Sequence, residues 1–478
     1  MNDTPETSQP ASRIETVAMG DVSSRLSSAI FFLLCIVPVF STVLFGAVDN
    51  VTWIIISIFW AAIVLLWLAE SSKAKGLLFS PNVLQIPVLG LLLIGLVQLL
   101  PLGGGVGGDV LSVPSSHALS IDPYATRFFV IRLIVYLVFF GACLTFINNE
   151  RRLKKAVLLV IIFGASMAFI GIMQRLSTPD GIYGLRKTPY SIPFGPFVNQ
   201  HHFAAFMQMT AAPAVALIFG KATGRDKKLL LAMAVVVMGI ATLLTSSRGG
   251  VLGFGAMIVF VLLVNFFNRT RSGKTSGTEA TSSVQRNIVL AVAGVSLVIV
   301  AFGVVLFLGG GDSLFRGIGV GNTPADVSSG RFHFWPIAIR IFLEHPVIGA
   351  GFDAFGAAFT KFDTWNGSLL VEQAHNDYLQ TLADAGVAGF ACVAAFIYLL
   401  FRRGLDTISA VGSSFRRDAA IGALAGCFGI LIHSFFDFPL RTPSNAFFFL
   451  LLAAIATVAI KTSEDAMPSR HGRRSNAP

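Results

Sequence analysis

Charge is what this sequence has least of. Only 13% of its 478 residues are Asp, Glu, Lys or Arg, 54% are hydrophobic, and the mean hydropathy is +0.75. Soluble domains carry about 25% charged residues, so this composition predicts an all-α polytopic membrane protein. Cysteine is also scarce. Cys35, Cys143, Cys392 and Cys427 lie inside apolar runs without metal-ligand spacing, which reads as small apolar packing. HExxH, Walker A, dinucleotide-fingerprint and internal-repeat patterns are missing, which disfavours a zinc protease of that type and enzymes built on those nucleotide motifs. The net charge of +10 lacks the form of a nucleic-acid surface, because the basic residues fall in short clusters between apolar runs. No nucleic-acid partner is expected. The first apolar run, from near Ser27, has no small-residue cleavage pattern behind it and is expected to be a retained span.

What is present is a series of apolar runs near the roughly 20 residues that cross a hydrocarbon core. About twelve are predicted, at 28–47, 52–69, 82–100, 128–147, 156–174, 203–219, 229–245, 249–267, 287–308, 387–401, 419–435 and 444–460. Most Lys and Arg residues fall on one side of the alternation, in clusters such as "RRLKK" (151–155) and "KATGRDKK" (221–228). The positive-inside rule makes that side cytoplasmic and places both termini there. The chain then divides into an N-terminal tail (1–27), spans one to nine (28–308), a large outer loop (309–386), spans ten to twelve (387–460) and a basic tail (461–478). The outer side holds the longer segments and every histidine except His471, so chemistry is expected on that face.

Within the large loop, Trp335, Ile339 and Phe342 recur at helical spacing, which predicts an amphipathic helix ended by His345-Pro346. A second helix is predicted from near Glu372, with Tyr378, Leu379 and Leu382 as its stripe and His375 in its first turn. The positive end of a helix dipole favours a neutral imidazole that accepts protons, whereas a carboxylate at Glu372, Asp377 or Asp384 favours the cation. A histidine capping a loop helix fits the same pattern. Arg248, in "TSSRGGVLG" (245–253), occupies a tight outer turn between two apolar runs. It reads either as a diphosphate clamp or as a snorkelling interface charge. Arg331 has the same two readings, and Arg186 in "YGLRKTPY" is a further phosphate ligand or a solvated loop charge. Asn199, Gln200, His201 and His202 mark the outer end of span six. Adjacent histidines on a helix point apart, so hydrogen bonding at a cavity edge is expected there instead of a shared metal. His433, Asp437 and Arg441 form an expected interfacial cluster with structural pairing.

His375-Asn376, nine residues, Gly386, two residues and Gly389, together with "HPVIGAGFDAF" (345–355) and "SSRGG", resemble the O-antigen ligase and polymerase superfamily of bacterial membrane glycosyltransferases. The likeness covers residues from about 195 to 400 and implies a GT-C-like bundle of about 12 transmembrane helices with a large helical periplasmic loop between spans 9 and 10. It implies a multi-pass protein of the bacterial inner membrane, active on the periplasmic face. Glycan would pass from a polyprenyl-diphosphate-linked saccharide donor to a lipid, glycan or protein acceptor. Carried over by position, His375 is the general base, while Asn376 orients the imidazole or a sugar hydroxyl. Arg248 and Arg331, helped by Arg186, hold the donor diphosphate, and Gly386 and Gly389 are the motif glycines. The resemblance implies no cofactor and no metal, and envelope polysaccharide assembly proteins as possible partners. Ligation to a lipopolysaccharide core and polymerisation of O-antigen or exopolysaccharide share these parts. A lipid-linked glycan transporter is the alternative of another class, although its working polar residues would be expected near the midplane and not crowded on one face.

Overall fold

The computed structural model describes residues 24–103, 117–177, 181–188, 191–273, 330–365, 370–411 and 414–460, with side chains described up to residue 267 in the helix that ends at Gly273. Among these residues regular structure is helical, apart from two isolated bridges. The helices are α1 (Arg25–Val43), α2 (Asn50–Lys73), α3 (Gln85–Gln98), α4 (Pro123–Phe146), α5 (Glu150–Ser177), α6 (Gln200–Phe219), α7 (Arg225–Leu244) and α8 (Arg248–Gly273). After the undescribed segment come α9 (Arg331–Glu344), α10 (Phe355–Phe359), α11 (Asp377–Ala410), α12 (Phe415–His433) and α13 (Pro443–Thr457).

Eleven of the twelve expected runs coincide with a helix; the twelfth, 287–308, and the start of the large loop lie outside the described residues. Eight described helices are long and apolar enough to cross a membrane: α1, α2, α4 to α8 and α11. Of the eleven expected runs within the described residues, eight therefore meet the length and composition of a span. The helices over the third and twelfth runs are only 14 and 15 residues long, and α12 begins with Arg416, Arg417 and Asp418, which dilute its apolar window. Several helices run past the apolar windows into polar residues, as α5 does at Glu150, because backbone hydrogen bonding continues where hydropathy stops.

The bundle is centred on α6, α12 and α13, which are buried along nearly their whole length, with Phe203, Phe206, Phe447 and Phe448 completely enclosed. Small residues make that packing possible. A Cβ on Gly422 would stand 2.5 Å from the Pro213 Cα, and one on Gly429 would stand 2.9 Å from the Gly253 carbonyl oxygen. Close backbone approach of this kind is how helices associate where lipid offers no hydrophobic driving force. At the opposite rim Arg416 donates to the carbonyls of Ile455, Ala456 and Val458, so this member of a basic cluster closes the end of α13. Outward residues such as Ile54, Leu65 and Leu230 are exposed and apolar, as a lipid-facing surface requires.

Two local expectations need correction. The buried stripe of α9 is Phe334, Ile337, Ala338 and Ile341, whereas Ile339 is exposed and Trp335 and Phe342 are half-buried. A spacing of three to four fits two adjacent stripes equally, and the contact with α10 and the start of α11 selects one of them. The second helix starts at Asp377, with Asn376 as its N-cap, and not near Glu372. His375 therefore precedes the helix and has a left-handed backbone, φ 53°.

The break in α11 at Gly386 explains the two-glycine spacing. Gly386 has φ 61° and ψ −162°, a region essentially closed to residues with a Cβ. Here the chain crosses the 346–351 segment backbone to backbone. Val387 and Ala388 N–H groups donate to the Pro346 and Val347 carbonyls, and those of Ala350 and Gly351 donate to Ala383 and Asp384. The crossing fixes the short helix before Gly386 over the outer end of the bundle. Gly389 sits where the helix resumes, with no room for a Cβ beside Ala385.

Candidate active site at one end of the bundle

Each residue of "HNDY" (375–378) reaches the same turn, at the C-terminus of α12. Asn376 Oδ1 caps α11 by accepting from the Tyr378 and Leu379 N–H groups, and its Nδ2 donates to the Phe435 carbonyl at 3.1 Å. The Asp377 N–H donates to the Ser434 carbonyl, and the Ser434 hydroxyl donates to Asp377 Oδ2 at 2.8 Å. Tyr378 Oη donates to the Leu431 carbonyl at 2.7 Å. A capping motif that leaves a left-handed residue just outside the helix thus points His375 at the next residue of that turn, Asp437.

His375 Nδ1 lies 3.1 Å from Asp437 Oδ1. A carboxylate only accepts, so Nδ1 carries the proton and Nε2 is the nitrogen with a lone pair. The ring lies against Phe334 (5.9 Å between centroids) and edge-on to Phe438 (4.8 Å), while its side chain keeps 31% exposure. Asp437 itself is 1% exposed. Burial alone raises the pKa of such a carboxyl, but the His375 hydrogen bond and the nearby His201, His202 and His375 charges outweigh it and hold Asp437 below the usual carboxylate range. Its folding contribution is then present above the ordinary value near 4 and lost only as pH falls through the lower folded value.

The arginines singled out by sequence divide into two groups. Arg331 begins α9 and donates from Nε to the Phe436 carbonyl at 2.9 Å, next to Asp437. Burial and the repulsion of Arg248 lower its pKa, against the attraction of Asp437. Arg248, exposed at the start of α8, is therefore close enough to Arg331 for the two guanidiniums to act on each other. His375 and Arg331 thus meet at the Phe436–Asp437 turn, which the start of α8 also approaches, since a Cβ on Gly249, next to Arg248, would stand 3.2 Å from the Phe436 Cβ. Arg186 instead pairs with Asp49 and lies over the Phe45 ring, and among the described contacts none joins it to this group.

The carboxylates expected near His375 are committed elsewhere. Glu372 is exposed, Asp377 is taken by Ser434, and Asp384 Oδ2 accepts from Arg441 at 2.6 Å. The last outer loop does not form one cluster. Asp437 serves His375, His433 meets Gln208 Nε2 at 3.1 Å, and Arg441 bridges Asp384 and Asp353. That bridge ties the loop to the Gly386 crossing, because the Asp353 N–H also donates to Asp384 Oδ2. His202 is buried, its Nδ1 2.6 Å from the Thr442 hydroxyl, in keeping with a hydrogen-bonding role. Among the described residues no group of three or more His, Cys, Asp or Glu side chains is placed to hold a metal ion.

Asp437 is the functional candidate that sequence reasoning undervalued. Its signal was an aspartate in "HSFFDFPLR" (433–441), on the outer side, but nothing in that segment names a partner 62 residues upstream. The arrangement can accept a proton at His375 Nε2 and present two guanidiniums to an anion beside it.

Residues 233–394 match the family model described as O-antigen ligase, a stretch that holds Arg248, Arg331, His375, Gly386 and Gly389 but ends before Asp437. No curated protein matches the chain.

Proposed function

The chain belongs to the O-antigen ligase superfamily, and on that premise we propose that it transfers a glycan from a polyprenyl diphosphate donor to an acceptor hydroxyl at the periplasmic face of the bacterial inner membrane. The observation that carries the reading is the pairing of His375 with Asp437 beside Arg331, at the turn that the Arg248 end of α8 approaches, at one end of an apolar bundle. In this mechanism the acceptor hydroxyl attacks the anomeric carbon, its proton passes to His375 Nε2, and the anomeric C–O bond breaks so that the electron pair leaves with the polyprenyl diphosphate. Asp437 keeps Nδ1 protonated and steadies the imidazolium that forms. Arg331 and Arg248 face the diphosphate, whose negative charge grows as the bond breaks. Apolar surroundings strengthen those contacts by excluding water.

The direct test is glycan transfer by purified protein from a polyprenyl diphosphate donor, with chelator present throughout. Transfer that persists with chelator supports this reading, and product length separates ligation of a finished chain from stepwise polymerisation. Vesicle transport of the donor without any transfer would replace the reading with the transporter alternative.

Two variants probe individual roles. Asp437→Asn is expected to lower kcat about 10- to 100-fold, a share of the roughly 10²–10⁴ that a general base supplies, and to change the pH–rate profile. Unchanged kcat and profile in a folded variant would show that Asp437 does not orient the base. Arg248→Lys keeps the charge but not the planar fork, and is expected to cost about tenfold in kcat/KM, or ~1.4 kcal/mol of transition-state binding. Wild-type rates there would count against a clamp.

A further inference from the structure

A large opening lies at the other end of the bundle. A cavity of about 1230 Å³ separates α5 from α7, beyond the roughly 300–1,000 Å³ of an ordinary small-molecule site. Its walls are apolar, with Leu158, Ile162, Phe169 and Leu230 exposed along its sides, so it opens towards lipid. Its mouth has a different chemistry. There Lys154 and Lys227 flank Thr223 and Gly224, where α7 begins, and Gly224 supplies no side-chain cap to the first N–H groups of that helix.

Position along the bundle excludes this cavity from the candidate active site. Helix α6 begins beside His201 near Asp437 and ends by Leu217 at the cavity mouth, and its 20 residues span about 30 Å. That is the thickness of a hydrocarbon core, so the mouth sits at the opposite membrane surface. From Gly224 to Ala234 the α7 wall runs about 15 Å at helical rise, and from Lys154 to Ile170 the α5 wall runs about 24 Å, so the cavity starts at the basic end and is deep enough for acyl chains that enter from that surface.

We propose that this cavity is a binding site for an anionic glycerophospholipid of the leaflet at the basic end, with its acyl chains between α5 and α7 and its phosphate on Lys154, Lys227 and the α7 N-terminus. Charge decides the occupant. Lys228 is engaged with the Gly220 carbonyl, Arg152 with that of Phe146 and Arg416 with the end of α13, so these basic neighbours serve the fold. Lys154 pairs with the exposed Glu150 in the same helix, at 2.6 Å, and lies over the Phe415 ring at the cavity wall, 5.5 Å from its centroid; the exposed ion pair is a contact that a phosphate can replace. Asp226 also lies at the mouth and opposes an anion, but two lysines and a helix N-terminus exceed its single charge. A zwitterionic lipid fills the apolar walls equally well but gains less at the mouth.

The test is native mass spectrometry of the delipidated full-length protein, titrated with phosphatidylglycerol or with phosphatidylcholine of identical chains. Phosphatidylglycerol is expected to bind at least fivefold more tightly. The Lys154→Gln/Lys227→Gln variant is expected to reduce that preference to parity, and Ala234→Trp, which fills the cavity, to remove the tight site for both lipids. The thermal midpoint of each variant in detergent shows that it is folded, and Leu230→Trp provides a second filling variant if Ala234→Trp is not. Equal binding of the two lipids by wild type, or a preference that survives the double glutamine variant, overturns headgroup recognition. Tight binding that survives a folded filling variant places the site elsewhere, and co-purification of a polyprenyl lipid in this cavity gives it a different occupant.

Discussion

His375→Ala is expected to abolish most glycan transfer, with a fall in kcat of about 10²–10⁴-fold, or ~3–5 kcal/mol of barrier, and little change in donor affinity. The size follows from the geometry. One nitrogen of the ring is committed to a buried carboxylate, which leaves the other as the proposed proton acceptor; His333 is likewise held by a carboxylate, its Nε2 2.8 Å from Asp363 Oδ1, but its ring is stacked on Trp365 and none of its described contacts is with Asp437 or Arg331. His201 lies in the same electrostatic group but begins α6, and His202 and His433 are buried against Thr442 and Gln208. Loss of one side chain should therefore not be covered by its neighbours. Rates from single-turnover assays with bound donor isolate the chemical step from binding. A variant that binds donor and transfers it at the wild-type rate would require the base to be another residue.

Gly386→Ala is expected to be the most damaging small substitution, costing at least about 3 kcal/mol and yielding little folded protein. Two effects combine. A Cβ cannot be held at φ 61° and ψ −162° without strain, and here it would also lie 2.5 Å from the Val347 carbonyl group. Backbone cannot rotate out of the way as a side chain does. Gly349→Ala should be similarly severe, since its Cβ would be 2.2 Å from the Ala385 nitrogen on the facing segment of the same crossing. Gly184 offers the comparison: its φ is 70°, but a Cβ there meets nothing within 4 Å, so Gly184→Ala should show only the backbone penalty of about 1–2 kcal/mol. Thermal midpoints by size-exclusion chromatography in detergent give the ranking. If Gly386→Ala is as stable as Gly184→Ala, the crossing does not determine where the His375 helix sits.

These two residues also mark the limits of what could be read in advance. His375 and Gly386 were both legible, because their separation by Asn376 and the nine residues of a short helix is local and carries its own pattern. What that pattern did not show is which residue the glycine must avoid or which carboxylate the histidine meets. Glu372, Asp377 and Asp384 were the natural candidates because they lie within a few residues of it. The actual partner, Asp437, is brought in by the return of the chain through α12, and the capping side chain of Asn376 turns His375 away from its own helix. The arginines illustrate the same division. Arg248, Arg331 and Arg186 look alike as basic residues on the outer side, yet two of them act on each other beside Asp437 and the third is paired with Asp49.

By itself the sequence determined the solvent of this protein, the helical class and the segment that holds the candidate site. Apolar runs, basic clusters and a histidine-to-glycine spacing are properties of consecutive residues, and the free energy of placing a helix in lipid is largely a sum over those residues. The tertiary structure alone decided the partners: Asp437 for His375, the 346–351 backbone for Gly386 and a basic-mouthed cavity between α5 and α7. Those depend on which helices lie side by side. Packing geometry between distant segments is set by small residues such as Gly422 and Gly429 that let backbones approach, and their spacing names no particular neighbour.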